Sequence, residues 1–343
     1  MKRIGILTGG GDCPGLNAVI RGVCERCFCA DVEVFGFYDG WRGVIEQDGQ
    51  WLTENEMEGL QTMGGTILGS SRTNVMRIDD GPERVKQTMD KLGLEAIVAI
   101  GGDDTLGVAR SLQKMGMNMV GVPKTIDNDL SGTDYTFGFD TACNNAMAAL
   151  DNVKFTAMSH RRVIVVELMG RHTGWIAVHA GIAGNAQVIA IPEYPMHIDE
   201  ICRILSERHR RTNWSVVAVA EAAEIEGIEQ DESDIERDAF GNKAMDQRAI
   251  GERLARAINA RTGIPARHVV LAHLQRGGNP SAYDRGLASR LGVGAANAVL
   301  KGNFGTMVSL RGTDIVLLPL EAALQERKCV PRDLYETAQM FMR

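Results

Sequence analysis

What most constrains this chain is a succession of short apolar runs rich in Val, Ile and Ala, at 3–7, 33–37, 96–100, 119–122, 163–168, 188–191, 216–220 and 269–272. Stretches of helical periodicity lie between many of them, at 15–26, 141–158, 199–211 and 247–262. Strands that are continuously apolar, alternating with helices, indicate a parallel sheet covered on both faces. The runs fall into two groups, one before about residue 140 and one after it. A length of 343 residues also suits two domains. The expected fold is therefore α/β, with two doubly wound, Rossmann-like domains and mainly parallel sheets.

Composition removes several function classes. The net charge of -7 argues against a nucleic-acid partner, which selects for basic faces. No apolar run is long enough to span a bilayer, so no membrane partner is expected. The opening MKRIGILTGGG reads as a first strand and not as a signal peptide, which makes the expected location cytoplasmic. The seven cysteines are then expected to be reduced. Cys24, Cys27 and Cys29 lie close together, but no second Cys or His pair stands at zinc-ligand spacing, and they continue an amphipathic pattern. The acidic stretch 221–238 reads as a solvated loop or helix face.

In open α/β sheets, ligands bind beyond the carboxyl ends of the strands. Here those ends carry the unusual residues. The runs lead into Thr8-Gly9-Gly10-Gly11-Asp12, Gly101-Gly102-Asp103-Asp104-Thr105, Pro123-Lys124-Thr125-Ile126-Asp127-Asn128-Asp129, Met169-Gly170-Arg171 and His273-Leu274-Gln275-Arg276-Gly277-Gly278. The first Gly-rich turn lets backbone approach a ligand and opens onto a helix N-terminus, a ready phosphate site; the same residues also make a tight βα turn. Cys13, at that helix start, is expected to have a lowered pKa.

Asp103, Asp104, Asp127 and Asp129 repel one another unless something positive sits among them. Mg²⁺ suits such a site when phosphates are present, because it binds one or two carboxylates together with water and phosphate oxygen. Helix capping accounts for one Asp per loop, and not for four around Lys124. A carboxylate beside a metal-bound phosphate can take the proton of an attacking hydroxyl. Arg72 follows Gly69-Ser70-Ser71; Arg162 and Arg171 bracket one run, and Arg267 and Arg276 another. Such arginines supply the local positive charge that a polyanionic substrate needs in an acidic chain.

Taken together, GGGDCPGLNAVIRG, GSSR, GGDDT, PKTIDND, MGR, HLQRGG and the following Asp284-Arg285 resemble the phosphofructokinase family, in its order, from residue 9 to 285. The resemblance implies the phosphofructokinase fold, with 1–138 plus 275–325 as a phosphoryl-donor and Mg²⁺-binding domain. Residues 139–274 plus 326–343 would form the sugar-phosphate domain. It implies that Gly10, Gly11 and Arg72 meet the donor phosphates, and that Asp103 and Asp129 organise Mg²⁺. Asp127 would be the base that deprotonates the 1-hydroxyl of fructose 6-phosphate. Thr125, Ile126, Met169, Gly170 and Arg171 would hold the sugar phosphate and the transition state. Glu221, His273, Leu274, Gln275 and Arg276 would also contact the sugar phosphate. Arg162 and Arg267, expected at the sugar-phosphate end of their strands, resemble the family's pair that reaches in from a neighbouring subunit. A homodimer or homotetramer with shared active sites follows.

Two residues depart from the ATP-using pattern. Members that use ATP typically carry Gly where this chain has Asp104, and usually Gly where it has Lys124. The pair is similar to the pyrophosphate-dependent branch, whose reversible reaction serves glycolysis and gluconeogenesis. A carboxylate at 104 would sit where a nucleotide α-phosphate belongs. Two unit charges about 4 Å apart cost on the order of 4 kcal/mol at an effective dielectric of about 20, roughly a thousandfold in affinity. Lys124 would offset the charge of pyrophosphate and of its leaving phosphate. The expected reaction is phosphoryl transfer from pyrophosphate to fructose 6-phosphate. The alternatives are an ATP-dependent phosphofructokinase and a catalytically silent subunit. GGDGT-like strand ends also occur in lipid and NAD kinases, but PKTIDND, MGR and QRGG speak against those.

Overall fold

The computed structural model describes residues 2–228 and 248–342. The chain divides into two compact units, Met1–Asp140 with Arg276–Lys328, and Thr141–Gln275 with Cys329–Arg343. In chain order the first unit contributes β1 (Lys2–Thr8), α1 (Leu16–Phe28), β2 (Val32–Phe37), α2 (Trp41–Glu46), β3 (Gly49–Trp51), α3 (Glu54–Met57), α4 (Gly81–Leu92), β4 (Ala96–Gly101), α5 (Asp103–Lys114) and β5 (Met119–Pro123). The second follows with α6 (Phe139–His160), β6 (Val163–Leu168), α7 (Trp175–Ala183), β7 (Val188–Ala190), β8 (Met196–His197), α8 (Ile198–Thr212), β9 (Ser215–Ala220), β10 (Ile225–Glu226), α9 (Ile250–Thr262) and β11 (Ala266–Val270). Then come α10 (Ala282–Leu300), β12 (Thr306–Arg311), β13 (Asp314–Pro319) and α11 (Leu320–Ala323) of the first unit, and α12 (Arg332–Phe341) of the second.

The first unit is built on a seven-stranded sheet of order β13-β12-β5-β4-β1-β2-β3. Five strands are parallel, and β3 and β13 run antiparallel at the two edges. The central strand β4, Ala-Ile-Val-Ala-Ile-Gly, is buried along its whole length, as a strand covered on both faces must be. From β1 the chain first moves outward to β2, then crosses to β4 and β5 on the other side. The switch point of the sheet therefore lies between the carboxyl ends of β1 and β4, where this topology opens a crevice. Helices α1 and α10 approach to backbone contact: a methyl at Gly22 would lie 2.6 Å from the Ser289 carbonyl oxygen, and one at Gly292 2.4 Å from that of Val19.

The second unit carries a four-stranded parallel sheet, β11-β6-β9-β7, and a small parallel pair, β8 with β10. Strands β6 and β9 are wholly buried. The last strand differs from its sequence reading. It spans Ala266–Val270, not 269–272, and stands at the sheet edge with Arg267, His268 and Val270 exposed. An edge strand is covered less and tolerates this polar alternation, which hides it from a search for continuous apolar runs. Ala272, at φ 42°, begins a 3₁₀ turn over Ala272–Arg276 that carries the His-Leu-Gln-Arg motif. The helix expected over 247–262 is α9, with residue 247 outside the described residues. The acidic stretch 221–238 is a turn and β10 as far as residue 228, and its remainder lies outside the described residues.

Candidate active site

At the switch point of the first unit, β1 runs into Gly9-Gly10-Gly11, β4 into Gly101-Gly102, and β5 into Lys124. Gly9 N donates to the Ile100 carbonyl (2.9 Å), and Lys124 N to that of Gly101 (2.9 Å), so the three ends are knitted side by side. The Gly-Ser-Ser-Arg loop is stitched onto the first turn. Thr8 Oγ1 donates to Gly69 O (2.6 Å), Gly10 N to Ser71 O (3.0 Å) and Ser70 Oγ to Gly10 O (2.5 Å). Exposed Arg72 follows directly. Gly10 has φ +82°, a conformation that favours glycine. Over Gly11 lies Arg276, whose Nη1 donates to Asp12 O (2.9 Å) and would stand 2.9 Å from a methyl at Gly11. Arg276 thus belongs structurally to this glycine turn, apart from His273, Leu274 and Gln275 of its motif, which are in the second unit.

Lys124 is buried, and its Nζ donates to the Gly11 carbonyl. A methyl on Gly10 would stand 3.4 Å from that nitrogen. Burial pulls the ammonium below its usual pKa, and neighbouring Arg276 adds to this while Asp127 and Asp12 oppose it. A desolvated cation at the base of a glycine turn gains strongly from an incoming polyanion.

Asp103 and Asp104 occupy the first turn of α5, where the helix macrodipole favours carboxylates. Asp103 is exposed and its Oδ1 accepts from Asp104 N (2.9 Å). The start of α5 is braced by Trp41, whose Nε1 donates to Thr105 O (3.2 Å). Asp127 is buried; its N donates to Thr125 Oγ1 (3.0 Å), and that hydroxyl donates to Asp127 Oδ2 (3.2 Å). Ile126 is a core side chain, so only its backbone can face a ligand. Asp129 is half-buried within the electrostatic reach of Lys328. Among the described residues no three His, Cys, Asp or Glu side chains converge as a metal-ligand group. The four carboxylates are distributed around the β4 and β5 ends, with Lys124 beside Asp127.

In the second unit the carboxyl ends of β6 and β9 meet. Glu221 N donates to Leu168 O (2.8 Å), and Glu221 Oε1 accepts from Gly170 N (3.2 Å) and Arg171 N (2.7 Å). Arg171 is held at φ 53°, sparsely populated for a residue with a side chain. Gln275 is fully buried and its Oε1 accepts from Met169 N (2.9 Å), so this motif residue fixes the Met-Gly-Arg turn from below. His273 and Leu274 are exposed on the 3₁₀ turn. Sequence reasoning missed Arg248, a buried guanidinium whose Nη1 donates to Glu221 O (3.3 Å). It sits in no motif, and only its burial marks it.

Two expectations are corrected. Arg162 and Arg267 do not stand at the sugar-phosphate end of their strands. Arg162 precedes β6 and Arg267 is the second residue of β11, paired with Ile164, so both are at the amino ends. With the six residues of β6 between them, Arg162 and Met169 are about 23 Å apart at ~3.3 Å per residue. Cys13, in turn, is fully buried, its Sγ donates to Phe137 O (3.8 Å), and burial pushes the thiol up to about 12. A thiol this shielded is inert. Mild alkylation of the native protein is expected to label exposed Cys29 and Cys329 and to leave Cys13 unmodified until the chain is unfolded, as read by peptide mass spectrometry. Cys24 and Cys27 are buried in α1, and burial raises their pKa values, as for core thiols.

The Phosphofructokinase family model matches residues 3–299. The chain is 50% identical over 340 residues to the "Pyrophosphate--fructose 6-phosphate 1-phosphotransferase" of Amycolatopsis methanolica, covering 99% of both chains. It is 47% identical over 342 residues to the "ATP-dependent 6-phosphofructokinase 3" of Streptomyces coelicolor, covering 99% of this chain and 100% of that one. Among solved structures, the T-state phosphofructokinase of Pichia pastoris superposes with a TM-score of 0.83 at 31% identity, over 94% of this chain and 35% of that longer one. The family model, these relatives and the solved structure agree, and the chain belongs to the phosphofructokinase family.

Proposed function

We propose that the protein transfers a phosphoryl group reversibly from pyrophosphate to the 1-hydroxyl of fructose 6-phosphate, giving fructose 1,6-bisphosphate and phosphate. The observation that carries this reading is Lys124, buried with its Nζ on the Gly11 carbonyl, and Asp104 in the first turn of α5. Relatives named for either donor stand at similar identity, so the names alone do not choose the donor. Lys124 supplies a desolvated positive charge to a small, dense anion, and Asp104 repels the further phosphate of a nucleotide. Gly10, Gly11 and Arg72 hold the donor, Asp127 takes the hydroxyl proton, and Arg171 with Arg276 carries the developing charge. Glu221 and Gln275 preset the Met169–Gly170–Arg171 turn through its backbone N–H groups. The donor set fits Mg²⁺, which needs only one or two carboxylates: exposed Asp103 and half-buried Asp129 would hold it. When bound, the ion neutralises phosphate charge. A coupled assay offering pyrophosphate or ATP with fructose 6-phosphate and Mg²⁺ tests the reading; turnover with ATP and none with pyrophosphate overturns it.

The active site is completed by a second copy of the chain. Arg162 and Arg267 lie at the amino ends of their own strands, roughly 23 Å and 17 Å along the sheet from the level of Met169. In the last turns of α6, shortly before Arg162 in the chain, the second unit exposes Phe155 (66%) and Met158 (44%), apolar side chains of the sort that subunit contacts cover. Arg162→Ala and Arg267→Ala are each expected to raise KM for fructose 6-phosphate about 10- to 100-fold, the loss of a charge-assisted hydrogen bond. Mixing Asp127→Ser protein with Arg162→Ala protein should restore activity in hybrid oligomers, since one site then regains both groups. Verified hybrids without recovered activity would show that each chain serves itself.

A further inference from the structure

The residues between β5 and α6 carry Thr125, Asp127 and Asp129 without regular secondary structure of their own, apart from isolated bridges. Such a segment keeps one conformation only if groups elsewhere hold it. Thr136 ties its two ends, Oγ1 donating to Thr125 O (2.7 Å) and N to Asn128 Oδ1 (3.2 Å). The end of β12 holds its far side: Asp134 N donates to Leu310 O (2.9 Å), Leu310 N to Thr133 Oγ1 (3.0 Å), and Arg311 pairs with Asp134 (2.7 Å). None of these contacts reaches the residue next to Asp127 with a charge.

Lys328 does. Its ammonium donates to Asn128 Oδ1 (2.8 Å), Thr133 O (3.0 Å) and Asp134 O (2.9 Å), and its backbone N to Asp129 O (2.8 Å). An ammonium has three N–H bonds, and here each meets a different acceptor on this one segment. Asn128 adopts φ 52°, a left-handed conformation that costs energy for a residue with a side chain. The bonds of Lys328 and Thr136 meet on its amide oxygen, and Asn128 follows Asp127 directly in the chain.

We propose that Lys328 is a positioning residue for phosphoryl transfer, setting the Asp127 carboxylate by gripping Asn128. The inference rests on the reading of Asp127 as the base. A merely structural tie would, on removal, lower stability and leave the kinetics of the folded fraction unchanged. A positioning tie changes kcat, because a misplacement of about 1 Å at a reacting group can cost about 10²-fold.

The test uses full-length protein, the donor that the wild type turns over, and four variants: Lys328→Met, Asn128→Gly, their combination, and Asp127→Ser. Gly at 128 keeps the left-handed backbone and removes the gripped oxygen. Lys328→Met is expected to lower kcat about 10- to 100-fold with KM for fructose 6-phosphate within about twofold, and the double variant to be no worse than the poorer single one. Tm is recorded alongside. Wild-type kcat for Lys328→Met, or losses that multiply in the double variant, would overturn the proposal. If Lys328→Met does not fold, Asn128→Gly decides, and an unchanged kcat there overturns it equally. An active Asp127→Ser protein would instead remove the base assignment itself, whatever the Lys328 variant does.

Discussion

Asp127→Ser is expected to lower kcat by at least about 10² to 10⁴-fold, the range for a lost general base, with KM for fructose 6-phosphate nearly unchanged. That loss corresponds to roughly 3–5 kcal/mol of barrier. The geometry sharpens the expectation. Asp127 is buried, and its near neighbour Thr125 is spent on it twice, accepting from its N and donating to its Oδ2. A carboxylate so fixed needs no reorganisation before it takes a proton, which is where a preorganised group gains its advantage. Lys124 lies within its electrostatic reach, and the same side chain also reaches the glycine turn. Serine keeps a small polar group near Thr125 and cannot serve as base at neutral pH. Steady-state kinetics in both directions checks the claim: the defect must appear in kcat with either pair of substrates, because one group gives and takes the same proton. A near-normal kcat removes Asp127 from the mechanism.

The sheet and the glycine-rich strand ends at its switch point were legible because both follow from burial. A strand such as β4, covered on both faces, can only be written in Val, Ile and Ala, and the glycines and charges that follow it then stand out. The edge strand β11 was misplaced for the same reason: with one side uncovered it carries Arg267 and His268, and the apolar signal survives only toward its end. Arg162 and Arg267 were assigned to the wrong end of the sheet because nearness to an apolar run says nothing of the direction in which the strand runs. Cys13 stands at a helix start, as read, but accessibility to solvent depends on Phe137 and the fold around it, more than a hundred residues along the chain. Lys328 and Arg248 escaped altogether. Each donates to distant acceptors, Asn128 and Glu221, and a lone cation outside a motif looks like any surface charge until those bonds are seen.

Donor choice should separate into two functions carried by two residues. Lys124 is proposed to stabilise pyrophosphate, and Asp104 to exclude the nucleotide. Because Lys124 is buried, Lys124→Met is a better probe than a truncation: it fills the volume of the stem and removes only the charge. It is expected to cut kcat/KM for pyrophosphate by about 10² to 10³-fold, as losing one preorganised phosphoryl-stabilising group does. It should not admit ATP, since the repelling carboxylate remains. Asp104→Gly should act in the opposite sense, leaving Lys124 on the Gly11 carbonyl and removing a charge worth on the order of 4 kcal/mol against a phosphate about 4 Å away. Measurable turnover with ATP is the expected gain. The cost falls on stability. Asp104 sits in the first turn of α5, where a carboxylate contributes about 0.3–1 kcal/mol through the helix dipole, and glycine is a poorer helix former than aspartate by roughly 0.3 kcal/mol. A lower Tm with new ATP activity therefore distinguishes relief of repulsion from simple damage, which would lower Tm and both activities together. The double variant should shift the ratio of kcat/KM for ATP over pyrophosphate furthest, with contacts to the adenine setting its ceiling. Kinetics with both donors on the wild type and the three variants decides the matter. A wild type that turns over ATP as well as pyrophosphate, or an Asp104→Gly protein that binds ATP no better than its parent, would mean that the carboxylate does not select the donor.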